Sequence, residues 1–193
     1  GDIEGALTYY LKSLEIFDDQ AITDYCIARC YLNLGRLEEA YKRFDKILTG
    51  HGIGLHDGND FLWMTDLGYT FVALGMDKEG VHWLNEGLQR MPYSCYAYNA
   101  LAVAHARLGD LEKAVQHAFE GLSCEEHASM YNNLAVIYAY GNQVQGSQEA
   151  LQKALSLNAS IPAVIHNQAI MSGRAPAGSQ ARFDLYIPLP GRR

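Results

Sequence analysis

The sequence has few cysteines, little positive charge and no long apolar run, and each shortage closes off a class of protein. Its four cysteines, Cys26, Cys30, Cys95 and Cys124, are too few and too dispersed over 193 residues for a disulfide framework. Cys26 and Cys30 stand four apart on a predicted helix, poor geometry for a bridge. Reduced, mostly buried thiols are the expected state, which points to an intracellular location, the cytoplasm. Lys and Arg number 15 against 22 Asp and Glu, for a net charge of −7 and a sequence pI near 5.4. Duplex nucleic acid demands a concentrated basic surface, so no nucleic-acid partner is expected. The acidic balance permits basic or neutral peptides instead. No stretch approaches the length of a transmembrane helix and the N-terminus lacks signal-peptide organisation, so no membrane insertion is expected. What the chain does have is an apolar fraction of 49%, ordinary for a folded protein.

It also has an internal repeat. The segment Gly35-Arg36-Leu37-Glu38-Glu39-Ala40, with Phe44, Ile47 and Leu48, has a counterpart 34 residues earlier at Gly1, Ala6, Tyr10, Ser13 and Leu14. The pattern returns 40 residues later at Gly75, Gly80, Leu84, Gly87 and Leu88, and after a further 34 at Gly109, Ala114, Ala118, Gly121 and Leu122. A last copy, Ser147, Leu151, Ala154 and Leu155, is offset by 33. The first half of each unit carries Ile27-Ala28 with Tyr31, Leu67-Gly68 with Phe71, Leu101-Ala102 with His105, and Leu134-Ala135 with Tyr138. Asp24, Met64, Tyr98 and Tyr131 lie four residues before the small residue.

Apolar residues at three- and four-residue spacing make each half-unit an amphipathic helix of about thirteen residues. Small residues at fixed places let two antiparallel helices approach closely, and large ones fill the space beside them. Gly35, Gly75 and Gly109 stand where the first helix must stop, a position suited to the left-handed conformation. Pro92 closes a unit and Pro162 opens the last helix, where its missing N–H does no harm. Helices are expected near 2–17, 21–34, 37–49, 60–74, 77–90, 95–108, 111–123, 128–140, 144–157 and 162–172. One hairpin cannot bury both faces, so neighbours must stack.

This pattern of large, small and aromatic positions resembles the tetratricopeptide repeat (TPR) family over residues 1–173. The resemblance implies an all-α, right-handed superhelical solenoid of antiparallel helix pairs with a concave inner surface. Its divisions are a half repeat over 1–20, repeats at about 21–54, 61–94, 95–127 and 128–161, and a partial one over 162–173. Gly1 falls in mid-repeat, so the chain is expected to be part of something longer.

Two segments leave the pattern. The glycine-rich insertion over 50–60 contains His51, His56, Asp57 and Asp60, which could hold a metal, but the plainer reading is a flexible connection with Asn59 or Asp60 capping the next helix. No strand precedes it, which argues against a phosphate loop. Beyond Gly173 the helical period fails. Residues 174–179 read as linker, and Phe183-Asp184-Leu185-Tyr186-Ile187-Pro188-Leu189-Pro190 alternates large apolar residues in extended fashion. This tail, 174–193, is expected to pack on a surface of its own chain or a neighbour, as a stand-in for a ligand and a possible route to self-association, or to close the last helix.

The resemblance implies that the first helix of each unit lines the groove. By register its exposed positions include Tyr25, Arg29, Thr65, Tyr69, Tyr96, Asn99, Asn132, Asn133 and Asn167, the candidate partner-binding residues. A side-chain amide offers both a donor and an acceptor and so matches the backbone amide of an extended peptide; the alternative is that these asparagines face water or bridge helices. One TPR subtype grips chaperone C-termini with lysine, asparagine and arginine. The matching positions here are Tyr25, Arg29, Asp66, Tyr96 and Ala100, so that recognition is not expected.

Catalytic signatures are absent: no H-E-x-x-H, no G-x-S-x-G and no nucleotide loop. Cys124 and His127 have C-x-x-H spacing without a second pair, and His105 sits at an aromatic packing position. No cofactor, metal or enzyme activity is expected. The reading is a scaffold that binds a peptide or partner protein in the concave groove, or alternatively a non-catalytic regulatory or assembly domain of a larger enzyme or of secretion or pilus machinery, acting through self-association.

Overall fold

The computed structural model describes residues 2–16, 21–50, 60–174 and 185–187. His51, His56, Asp57, Asn59 and the side chain of Asp60 lie outside the described residues, and with them the metal or capping role considered above; so do 175–184 and 188–193 of the tail. Ten α-helices occur among the described residues: α1 (Ile3–Ile16), α2 (Ala21–Asn33), α3 (Leu37–Gly50), α4 (Asp60–Ala73), α5 (Asp77–Arg90), α6 (Cys95–Arg107), α7 (Leu111–Cys124), α8 (Ala128–Tyr140), α9 (Val144–Leu157) and α10 (Pro162–Met171). Each boundary falls within one residue of its expected place. None is long and apolar enough to cross a membrane.

The helices divide between two compact units, residues 1–92 with α1–α5 and residues 93–188 with α6–α10. In the first, each helix packs on the next, and α2 also touches α4. In the second, α8 lies between α6 and α10, and these three are backed by α7 and α9.

Main-chain chemistry makes the turns. Gly35 has φ 74°, and its N–H and that of Arg36 return to the carbonyls of Leu32 and Tyr31 at 3.0 and 2.9 Å. This two-bond cap satisfies carbonyls that a helix end would otherwise leave bare. The same pair of bonds recurs at Gly75, Gly109, Asn142 and Gly173, all with positive φ. Asn142 takes the place of glycine at φ 57°, a conformation asparagine tolerates better than most residues.

Close packing fixes the pairs. A Cβ on Gly68 of α4 would lie 2.7 Å from the Leu84 nitrogen of α5, so only glycine fits this crossing. Ala28 and Ala40, and then Ala102 and Ala114, serve the same purpose and are fully buried. At the last pair the Ser147 hydroxyl donates to the Ala135 carbonyl at 2.7 Å. Phe44, Leu84, Leu101 and Ile137 fill the space beside these contacts, each contributing about 1.5–3 kcal/mol by burial.

Candidate functional site

Helices α6, α8 and α10 of the second unit carry a connected set of amides. Asn133 of α8 donates from Nδ2 to the Asn99 Oδ1 of α6 at 2.9 Å. One repeat on, Asn167 of α10 donates to Asn132 Oδ1 of α8 at 2.8 Å. A longer contact of 3.5 Å, Asn132 Nδ2 to Asn133 Oδ1, joins the two pairs. All four asparagines are buried. Buried amides are stable only where they find partners, and here each helix supplies them to the next.

Asn133 has a second relationship. Its Nδ2 donates to the Tyr186 carbonyl at 2.7 Å, and the Tyr186 N–H donates to its Oδ1 at 2.7 Å. The N–H and C=O of one residue point the same way only when its backbone is extended, as in the hydrogen-bonded pairs of an antiparallel sheet. The side-chain amide therefore does what a neighbouring strand would do. Leu185 and Tyr186, both half-buried, pack against the apolar cluster formed by α6–α10.

In the first unit Tyr25 donates its hydroxyl to Asp66 Oδ2 at 3.0 Å, from α2 to α4. Arg29 Nε stands 3.4 Å from the same oxygen, and its guanidinium lies 5.9 Å from the Tyr25 ring centre. Burial raises the Asp66 carboxyl above its ordinary value, against the opposing pull of Arg29 and the Tyr25 hydroxyl. Burial, and next the Asp66 charge, raise the Tyr25 hydroxyl and keep it protonated as the donor.

The register reading needs one correction. It placed the nine candidates at exposed positions, yet Thr65, Tyr69, Asn99, Asn132, Asn133 and Asn167 are buried and Tyr25 is half-buried. Arg29 and Tyr96 alone are exposed. Tyr25, Asn99, Asn132, Asn133 and Asn167 face the adjacent helix, and the Tyr25 hydroxyl and the four side-chain amides bond across the gap. The structure brings the four asparagines together in the second unit, and Tyr25 with Arg29 in the first. Register places Asp66 beside Thr65 on the same face and Tyr186 in the extended tail, but spacing alone does not pair them with Tyr25 and Asn133, because both bonds span more than forty residues.

The residues with chemical potential have structural work. His127 is the N-cap of α8, its Nδ1 3.4 Å from the Ser129 amide nitrogen. His105 stacks on His117 with ring centres 5.3 Å apart. Burial, followed by the Cys124 thiol, pushes Cys95 up to about 11, so it stays a thiol at neutral pH. Among the described residues no group of three or more His, Cys, Asp or Glu is placed to hold a metal.

Antiparallel helix pairs with a small residue at each crossing and a left-handed residue at each turn define an α-helical repeat protein. Residues 128–161 match the tetratricopeptide repeat family, and the fold of the chain is that family's solenoid of helix pairs. YrrB, described as a TPR protein with an unusual peptide-binding site, is similar at 24% identity and a TM-score of 0.65, over 86% of this chain and 84% of that one. MamA of Desulfovibrio magneticus is similar at 20% identity and a TM-score of 0.67, over 84% of this chain and 89% of its own. A thermophilic TPR protein of Thermus thermophilus is similar at 15% identity and a TM-score of 0.61, over 89% and 90%. At these identities the likeness is one of fold. No curated protein matches the chain by sequence.

Proposed function

We propose that this chain is a non-catalytic protein-interaction scaffold that holds an extended peptide segment by its main chain, with Asn133 as the gripping residue. The observation behind this reading is the pair of 2.7 Å bonds between Asn133 and both main-chain groups of Tyr186. Asn99 takes one hydrogen of the Asn133 amide and so sets its orientation. Asn132 and Asn167 brace the helices on either side of the bond between them. Tyr96, exposed on α6, offers ring area to a partner at modest entropic cost. In the first unit, Tyr25, Arg29, Thr65 and Tyr69 form a second candidate patch centred on Asp66, of which Arg29 is the exposed member.

Main-chain recognition does not demand a particular sequence, and each net bond is worth about 1 kcal/mol. Two such bonds make affinity modest unless side chains add to it. The description of YrrB as carrying a peptide-binding site supports looking for a peptide ligand here.

Panning a displayed random-peptide library against the immobilised chain tests the reading. Peptides selected on the wild type are expected to bind Asn133→Ala at least tenfold more weakly, the loss corresponding to about 1.4 kcal/mol. Selected peptides that bind both proteins equally would remove Asn133 from the site.

A further inference from the structure

The grip at Asn133 is already taken by the chain itself. The Asn133 carbonyl oxygen receives one short bond, from the Tyr186 N–H at 2.7 Å, and its other neighbour, Asn132 Nδ2, stands at 3.5 Å. The amide is held in place by Asn99 from the side away from the tail. A buried amide oriented by its own fold and completed by a strand-like segment is built like a receptor with its ligand in place. Side chains add to the main-chain bonds, since Leu185 and Tyr186 are half-buried against the apolar cluster of the same unit.

We infer that residues 185–187 are an intrasteric ligand of the Asn133 site, and that the external partner is an extended segment of the same chemistry which must displace them. That chemistry is a large apolar residue, then an aromatic one with a free main-chain N–H, then a β-branched residue. The inference rests on the peptide-binding reading given above.

Tethering sets the size of the effect. Ten residues, 175–184, separate Arg174 from Leu185. A short tether of this kind holds its ligand at an effective concentration on the order of millimolar. If the tail segment itself binds the open site with a dissociation constant of about 10 μM, only about one site in a hundred is open, and any outside segment binds roughly a hundredfold more weakly than it would bind an open site.

The test uses the full chain and its Tyr186→Pro variant, which lacks the N–H that Asn133 accepts. A fluorescein-labelled peptide, Ala-Arg-Phe-Asp-Leu-Tyr-Ile-Pro-Leu-Pro, is titrated against both, and circular dichroism checks that the helices are unchanged. The expected result is at least tenfold tighter binding to Tyr186→Pro, lost when the peptide is N-methylated at its tyrosine. Leu185→Asp, which keeps the N–H but opposes the apolar contact, is expected to open the site in the same direction. Equal, N-methyl-sensitive binding to all three proteins would overturn the intrasteric role and leave the peptide-binding reading intact. Tighter binding to the variants that ignores N-methylation would overturn the main-chain grip instead. No binding to any of them, with helicity preserved, overturns both. A wild-type dimer that Tyr186→Pro converts to monomer would assign the segment to a second copy and overturn occupation within one chain.

Discussion

Asn167 on α10 donates to Asn132 on α8 at 2.8 Å, and one repeat earlier Asn133 makes the same bond to Asn99. In the first unit, Tyr25 and Asp66 join α2 to α4 in corresponding positions. Neighbouring inner helices are thus stitched by polar bonds at one repeated place, with the apolar contacts on either side.

Cutting a stitch should cost more than surface substitutions do. Asn132→Ala and Asn167→Ala are each expected to destabilise by about 1–3 kcal/mol, because the surviving amide stays buried with a lost partner. The double variant should fall short of the sum by about 0.5–3 kcal/mol, the signature of direct coupling. Urea unfolding of the four proteins measures this; strict additivity would mean that the bond contributes nothing to stability.

Gly68 and Gly75 are seven residues apart and should respond to alanine for different reasons. Gly68→Ala pushes a methyl group to within 2.7 Å of the Leu84 nitrogen, so α4 and α5 must part; the expected loss is about 1–3 kcal/mol or more. Gly75 has open space around it and φ 80°, so alanine there meets only backbone strain, about 1–2 kcal/mol. Tryptophan fluorescence from Trp63 and Trp83 reports unfolding of this unit, and the two variants differ further in helix packing, visible as a shift in emission for Gly68→Ala alone.

Asp24 is fully buried between Arg43 at 2.8 Å and Lys46 at 2.9 Å, while the two cations keep part of their surface in water. That asymmetry predicts an order. Arg43→Ala with Lys46→Ala takes both cations from a buried carboxylate and is expected to cost about 3–5 kcal/mol. Asp24→Asn removes the charge but frees cations that can rehydrate, so it should cost less. Thermal unfolding that ranks them the other way would refute this account of the pair.

His105 gives the second unit a pH dependence. Burial, and then the His117 ring, hold its pKa below the ordinary histidine value, with Asp110 pulling upward and Lys113 adding to the depression. The unfolded chain therefore takes up a proton first as pH falls. Stability is fully present above about pH 6.5, the ordinary histidine pKa, and declines as pH drops through the depressed value in the fold. His105→Phe, which places at this position the residue found at Phe71, should flatten the melting temperature between pH 8 and pH 5. A wild-type profile as flat as the variant's would exclude His105 as the source.

The helices were legible because local rules write them. Spacing of apolar residues sets each span, and Gly35, Gly75 and Gly109 mark turns that need a left-handed residue. Asn142 escaped because glycine stands beside it at Gly141, and only the backbone reveals which of the two is left-handed. His105 was recognisable as a packing residue from its place in the repeat. Register also found the face of the asparagines but not their burial, since the distance between adjacent inner helices is a property of packing rather than of period. The partner of Asn133 lay beyond sequence reading for another reason. Tyr186 lies in the tail beyond Gly173, where the repeat ends; the extended pattern suggests that this tail packs on the chain, but no register carries it to a particular residue.

The turns between paired helices are fastened by main-chain bonds, Arg36 to Tyr31 being the first and Gln143 to Tyr138 the last. Side chains at these joints are not asked to hold the angle; one left-handed residue suffices. The pairing of helices and the chemistry of their inner face are consequently separate variables. Substitutions at Tyr25, Asn99 or Asn133 therefore act on the contact between one hairpin and the next and leave the bend within each hairpin in place.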